Sequence, residues 1–300
     1  MKKLLLTALA VSASLLASAQ LVEVASVDRV ALPEGISGDV ATLSPDGTFA
    51  VLGQMGGKTL YKVDLSTGAA SVITTDGIAS GVTISPDGNN VVFRTYTFDN
   101  NHLRHTGINC VNLTNGSEYQ LVKPSRHLNA GIAISAAGIT AVDNGRARVC
   151  SFNGQRAASM PVASINYGHL DITVAGKTTT IDPQGRGSYL WPSISPDGTK
   201  VAYVLSGAGA FVCNIDGSNP IALGRLHAPR WVGNDMVVGM DDRDNGQQIT
   251  SSEVILTNLN GVRQSISLPG HIAIYPSASA DGSSVAYCTA DGDLYIVTLK

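Results

Sequence analysis

Ser193-Ile194-Ser195-Pro196-Asp197-Gly198-Thr199-Lys200-Val201-Ala202-Tyr203 is the stretch that decides the fold. Its centre is a tight turn. Proline presets φ at the first central position, the aspartate accepts hydrogen bonds from the backbone just ahead, and glycine takes a positive φ that a side chain resists. The apolar run that follows, Val201 to Leu205, reads as a strand. The turn returns as Ser44-Pro45-Asp46-Gly47 and Ser85-Pro86-Asp87-Gly88, and in worn form as Ser135-Ala136-Ala137-Gly138 and Ser279-Ala280-Asp281-Gly282. Such recurrence between β-rich runs marks a repeat architecture.

Each copy opens the same succession of strands. A second strand and a loop follow the turn, then a third strand ending in a polar turn: Leu60 to Leu65 before Ser66-Thr67-Gly68, Ile108 to Leu113 before Thr114-Asn115-Gly116, Ala210 to Ile215 before Asp216-Gly217. Ser71 to Thr74 and Pro220 to Leu223 read as fourth strands. Four strands per unit is the signature of a propeller blade. The first turns begin at Ser44, Ser85, Ser135, Ser195, a degenerate copy at Val232-Gly233-Asn234-Asp235, and Ser279, with spacings of 41, 50, 60, 37 and 47 residues. That count predicts an all-β, six-bladed β-propeller of four-stranded antiparallel blades. The 60-residue interval implies an extra hairpin in blade three, within Asp143 to Ser164; a truncated seventh blade there is the competing reading. The last blade supplies three strands before Lys300. The segment Val22 to Leu32 is therefore predicted to close the ring as its outermost strand, with a bulge near Ala25-Ser26.

Residues 1–19 carry the pattern of a signal peptide: Lys2 and Lys3, an apolar run from Leu4 to Leu16, then Ala17-Ser18-Ala19. Cleavage after Ala19 leaves residues 20–300 as a single propeller domain, exported to the periplasm or the cell surface. The apolar run is shorter than the ~20 residues a span needs, and no later stretch qualifies as a transmembrane segment. Without Lys2 and Lys3 the count falls from 20 to 18 cations against 23 acids, a balance near −5 that gives no footprint for nucleic acid.

Repeated S-P-D-G turns followed by strands such as Lys200-Val201-Ala202-Tyr203, with Asn214-Ile215-Asp216-Gly217 after the third strand, resemble the WD40-like PD40 repeats of TolB-like six-bladed propellers. The resemblance extends over the mature chain. It implies a fold and leaves chemistry open, since the repeated residues are turn formers without a reactive group. PD40-type propellers commonly bind proteins, so it also implies an envelope or periplasmic protein or peptide as partner. TolB carries an α/β domain ahead of its propeller for which this chain has no room, so a role in the Tol–Pal system is not expected.

Function is expected on the face opposite the S-P-D-G turns. Longer, irregular loops fall there, Thr95 to Thr106 and Met240 to Glu253. His127, His227 and His271 each precede a first strand, and first strands line the central channel; Arg126, Arg225 and Arg230 lie in the same connections. Arginine forks suit carboxylates, and three converging imidazoles would suit a metal. The expected reading of the histidines is local hydrogen bonding at strand ends, with no cofactor and no catalytic residue. The alternative is a metal-dependent lyase acting on an acidic oligosaccharide at the channel mouth. Asp241-Asp242-Arg243-Asp244-Asn245-Gly246 does not match a calcium loop and reads as a solvated hairpin tip. Cys110, Cys150, Cys213 and Cys288 lie in different blades, too far apart for disulfides, and read as buried free thiols. No G-x-S-x-G elbow, H-E-x-x-H pair or glycine-rich phosphate loop is present.

Overall fold

A computed structural model describes residues 20–152, 154 and 156–300; the expected leader, residues 1–19, lies outside them. The strands form seven antiparallel sheets, five of four strands and two of three. Blade 1 runs Val40–Leu43, Phe49–Gly53, Leu60–Asp64 and Ala70–Thr74, and blade 2 runs Ile78–Ile84, Asn90–Phe98, Arg104–Asn112 and Glu118–Ser125. Blades 3 and 4 have three strands each: Leu128–Ser135, Gly138–Asp143 and Arg146–Ser151, then Val162–Asn166, His169–Val174 and Lys177–Thr180. Blade 5 comprises Tyr189–Ile194, Lys200–Leu205, Gly209–Asn214 and Ile221–Gly224; blade 6 comprises His227–Val232, Met236–Asp244, Ile249–Asn258 and Arg263–Ser265. Blade 7 takes Ala273–Ala278, Ser284–Thr289 and Leu294–Leu299 from one end of the chain and Val24–Arg29 from the other.

The expectation of six blades is therefore corrected to seven, and the competing reading of the 60-residue interval is the right one. Two units fit there because each omits its fourth strand and replaces longer turns with two-residue hairpins. Asn144-Gly145, Tyr167-Gly168 and Ala175-Gly176 all have positive φ at both residues, the geometry of type I′ turns, whose twist matches that of the flanking strands.

The Ser-Pro-Asp-Gly turns build themselves from their own side chains. In four copies the hydroxyl of Ser44, Ser85, Ser195 or Ser279 donates to the aspartate two residues on, at 2.7, 2.5, 2.6 and 2.6 Å. The same oxygen accepts the amide five residues on, at 2.9 to 3.0 Å. All four serines are buried, so these bonds satisfy groups that water does not reach. The hydroxyl holds Asp46 and Asp281 below the usual carboxylate range and brings Asp197 down to about 2.

Ring closure follows the predicted route. Val27, Asp28 and Arg29 pair with Val297, Ile296 and Tyr295, and the register shifts between Val24 and Ser26. Gln264 of blade 6 adds a clamp: its Oε1 accepts from the amides of Leu21 and Val22, and its Nε2 donates to the Val22 carbonyl at 3.0 Å. Between blades the sheets pack face to face. Val91, Phe93 and Ile84 meet Phe49, Val51 and Leu60 across blades 1 and 2; Ala41, Leu43 and Leu52 meet Ile274, Ala286 and Cys288 across blades 1 and 7. The four cysteines are free, three buried and Cys150 half-buried. Burial pushes the Cys110 thiol to about 11 and the Cys213 thiol to about 12, so both are inert at neutral pH.

Candidate functional site

In the four-stranded blades the antiparallel order puts the Ser-Pro-Asp-Gly turns on one face and the second-to-third turns, with the blade-to-blade connections, on the other; the connection into blade 4 is an exception, since Pro161 lies against the turn at Gly198. The two segments expected there as irregular loops are instead long hairpins. Asn90–Phe98 pairs with Arg104–Asn112, and Met236–Asp244 with Ile249–Asn258. Only Asp99 to Leu103 and Asn245 to Gln248 are unpaired. Thr95-Tyr96-Thr97-Phe98 is rich in strand formers, which favours continuing the ladder over looping.

Asp99 shapes the blade 2 tip. Its Oδ1 accepts the amides of Asn101 and Leu103, and its Oδ2 lies 3.1 Å from His105 Nε2. Phe98 (60% exposed) and Leu103 (37%) stand out from this tip. Phe98 packs edge-on against Tyr96, and Lys58 and Arg104 cover the Tyr96 ring at 4.6 and 5.2 Å. Met55 (52%) occupies the corresponding turn of blade 1, and Trp191 (38%) stands at the channel mouth.

The blade 6 hairpin corrects a second expectation. Asp241 and Asp242 belong to its first strand, and the solvated tip begins later, at Asn245-Gly246. Asp242 is buried and its Oδ1 lies 2.6 Å from His227 Nδ1. Arg225 donates to the Asp242 carbonyl. Its Nε also stands 3.4 Å from Asp241 Oδ1, an ion pair without a hydrogen bond. Arg263 bonds Asp241 Oδ2 at 2.9 Å and the Leu223 and Arg225 carbonyls.

The six residues singled out from sequence thus part company. His227 packs its ring on Trp191 at 5.3 Å, whereas His271 packs on Tyr295 at 5.5 Å. Arg126 and His127 are exposed in the turn between blades 2 and 3. Arg225 is engaged by its own hairpin, and Arg230 lines the channel. Among the described residues no group of three His, Cys, Asp or Glu side chains stands close enough to hold a metal ion, so the three histidines do not converge.

A cavity of about 690 Å³ lies behind the mouth, lined by the first strands of all seven blades. Five of those strands share a defect, blades 1 and 4 being regular. Their ladders shift register between Ile78 and Thr83, Leu128 and Ile132, Leu190 and Ser193, His227 and Arg230, and Ile274 and Ser277. In blades 5, 6 and 7 the bulge holds Trp191, Ala228 and Tyr275 at φ of 47°, 47° and 48°, each just before a proline. Proline cannot donate to the ladder, and its neighbour is displaced toward the channel. Sequence reasoning missed this X-Pro pattern. It also missed Arg94, on the second strand of blade 2 between Ile78 and Ile108. Its signal is a cation at the end of an alternation with buried Asn90 and Val92.

Fold and face together define an all-β propeller with one loop-rich face and an open channel. No family model matches the chain, and no curated protein matches its sequence. Many solved chains share the architecture. One, from the crystal structure of the mitotic checkpoint complex, is 11% identical with a TM-score of 0.59 over 93% of this chain and 96% of that one. Likeness at that identity is likeness of fold. Among the described residues no helix is long and apolar enough to cross a membrane.

Proposed function

We propose that this protein is an exported, non-catalytic propeller of the TolB-like PD40 type that binds a protein or peptide in the periplasm or at the cell surface. The observation that carries the reading is the set of exposed apolar side chains Met55, Phe98, Leu103 and Trp191 on one face. They stand on or beside hairpin ends while the opposite face is built from self-satisfied turns. Apolar side chains gathered on one face of a rigid scaffold mark association surfaces. A similarly built chain in a multiprotein complex is consistent with that use. No observation favours the lyase alternative, since the histidines it needs are held apart.

The test is capture from the native envelope by the mature chain and by its Phe98→Asp/Leu103→Asp variant. A protein retained in stoichiometric amount by the first and lost by the second supports the reading. Identical recovery by both, or recovery of glycan alone, contradicts it.

A further inference from the structure

We propose that the central channel is a binding site for a small organic dicarboxylate, anchored by Arg94 and Arg230. Among the described residues these are the only charged side chains lining the 690 Å³ cavity, and that volume lies within the range of small-molecule sites, roughly 300–1,000 Å³. Among the described residues neither makes an ion pair. Arg94 donates one 3.3 Å hydrogen bond to the Asn129 carbonyl, and its buried Nε has no partner. Arg230 donates to the Pro229 carbonyl beside it. A guanidinium presents five donors in a planar fork, so both retain unused donors toward the channel. A cation withdrawn from water is ordinarily paired, and among the described residues Arg94 has no acidic partner.

The surroundings select for an anion. Burial pushes the Arg94 guanidinium down to about 10, and the charge of Arg104 acts in the same direction. Desolvation holds Arg230 below the usual arginine range, although the residue as a whole is exposed. Both keep their charge at neutral pH, and an entering carboxylate relieves both costs through bidentate bonds. Two cations from different blades call for two acidic groups. The rest of the lining includes Val40, Ala41, Val82 and Ala163 and suits a carbon body. Gly81 lies alongside: a Cβ there would stand 3.9 Å from Arg94 Cζ, in ordinary contact. The site adjoins the protein-binding face, since Met55 and Trp191 also line the cavity, but the arginines that define it lie apart from the Phe98 and Leu103 tip.

Calorimetry and thermal shift on the mature chain with succinate, glutarate, citrate and galactarate test it, with succinamide and inorganic phosphate alongside. At least one dicarboxylate is expected to bind and raise Tm while succinamide does not; aliphatic and sugar diacids separate the two sources of the chemistry. Arg94→Gln and Arg230→Gln should each weaken binding at least about tenfold, with Val72→Ser on the outer edge of blade 1 unchanged. Should Arg94→Gln fail to fold, Arg94→Lys and the Arg230 variant carry the comparison. Binding that survives both arginine variants, binding of phosphate or of acidic peptides only, or no binding by any diacid overturns the proposal.

Discussion

Arg94 reaches the central channel beside Gly81, where φ is +84° and a Cβ would stand 3.9 Å from the guanidinium carbon, in ordinary contact. The relationship joins two strands of one blade and costs stability, because a desolvated cation is left with one long hydrogen bond. Arg94→Leu should therefore raise stability by about 1–3 kcal/mol, read as a higher urea midpoint. A drop in midpoint would show that the arginine is a structural strut. The sign of the pH effect follows from its lowered value: the folded state disfavours the charged form, so wild-type stability should rise as pH passes through about 10 toward the unfolded value. The Leu variant should lack that rise.

The turn chemistry predicts the opposite trend in acid. Asp197 is held at about 2 by the Ser195 hydroxyl, so its contribution is complete above the unfolded value near 4 and disappears as pH falls to about 2. Ser195→Ala should remove that dependence and cost about 1–2 kcal/mol at neutral pH, because the half-buried Lys200 amide loses its side-chain acceptor. Urea titrations from pH 2 to 7 on both proteins check it.

Asp242 holds His227 at 2.6 Å inside the blade 6 hairpin. Asp242→Ala should destabilise by about 1–3 kcal/mol and free the His227 ring from Trp191. Indole fluorescence would report the change, and an unchanged emission and Tm would show that the pair is incidental.

Closure by Val24–Arg29 makes a further claim on stability. Val27 packs with Val297 and Leu299 in the core between blades 6 and 7. Val27→Asp should lower stability by about 2–4 kcal/mol and expose the Leu294–Leu299 edge to pairing with other chains. Tm with light scattering reads both effects. An unaffected Tm would mean that the outer strand is dispensable.

The repeat and its closure were legible because their determinants are local: Ser-Pro-Asp-Gly specifies its own hydrogen bonds, and Val24 to Val27 carries its bulge in a broken alternation. The blade count was not, because it was read from the spacing of one turn type. Asn144-Gly145, Tyr167-Gly168 and Ala175-Gly176 set a different, shorter register between Ser135 and Ser195. At the site, Arg230 and His227 were visible as polar residues beside a first strand. Arg94 was hidden because it enters from a second strand beside Gly81 of the first, a relation that exists only once the strands pair. The three histidines looked alike in sequence, yet their partners, Asp242 and Trp191 for one and Tyr295 for another, come from elsewhere in the chain.

Hydrogen exchange on the mature chain with its captured partner tests the central claim most directly. The account predicts slowed exchange at Asp99 to Leu103, Asn245 to Gln248 and the Met55 turn, with the Ser-Pro-Asp-Gly turns unchanged. Protection confined to Pro45 to Gly47, Pro86 to Gly88 and Pro196 to Gly198 would place the partner on the other face and contradict it.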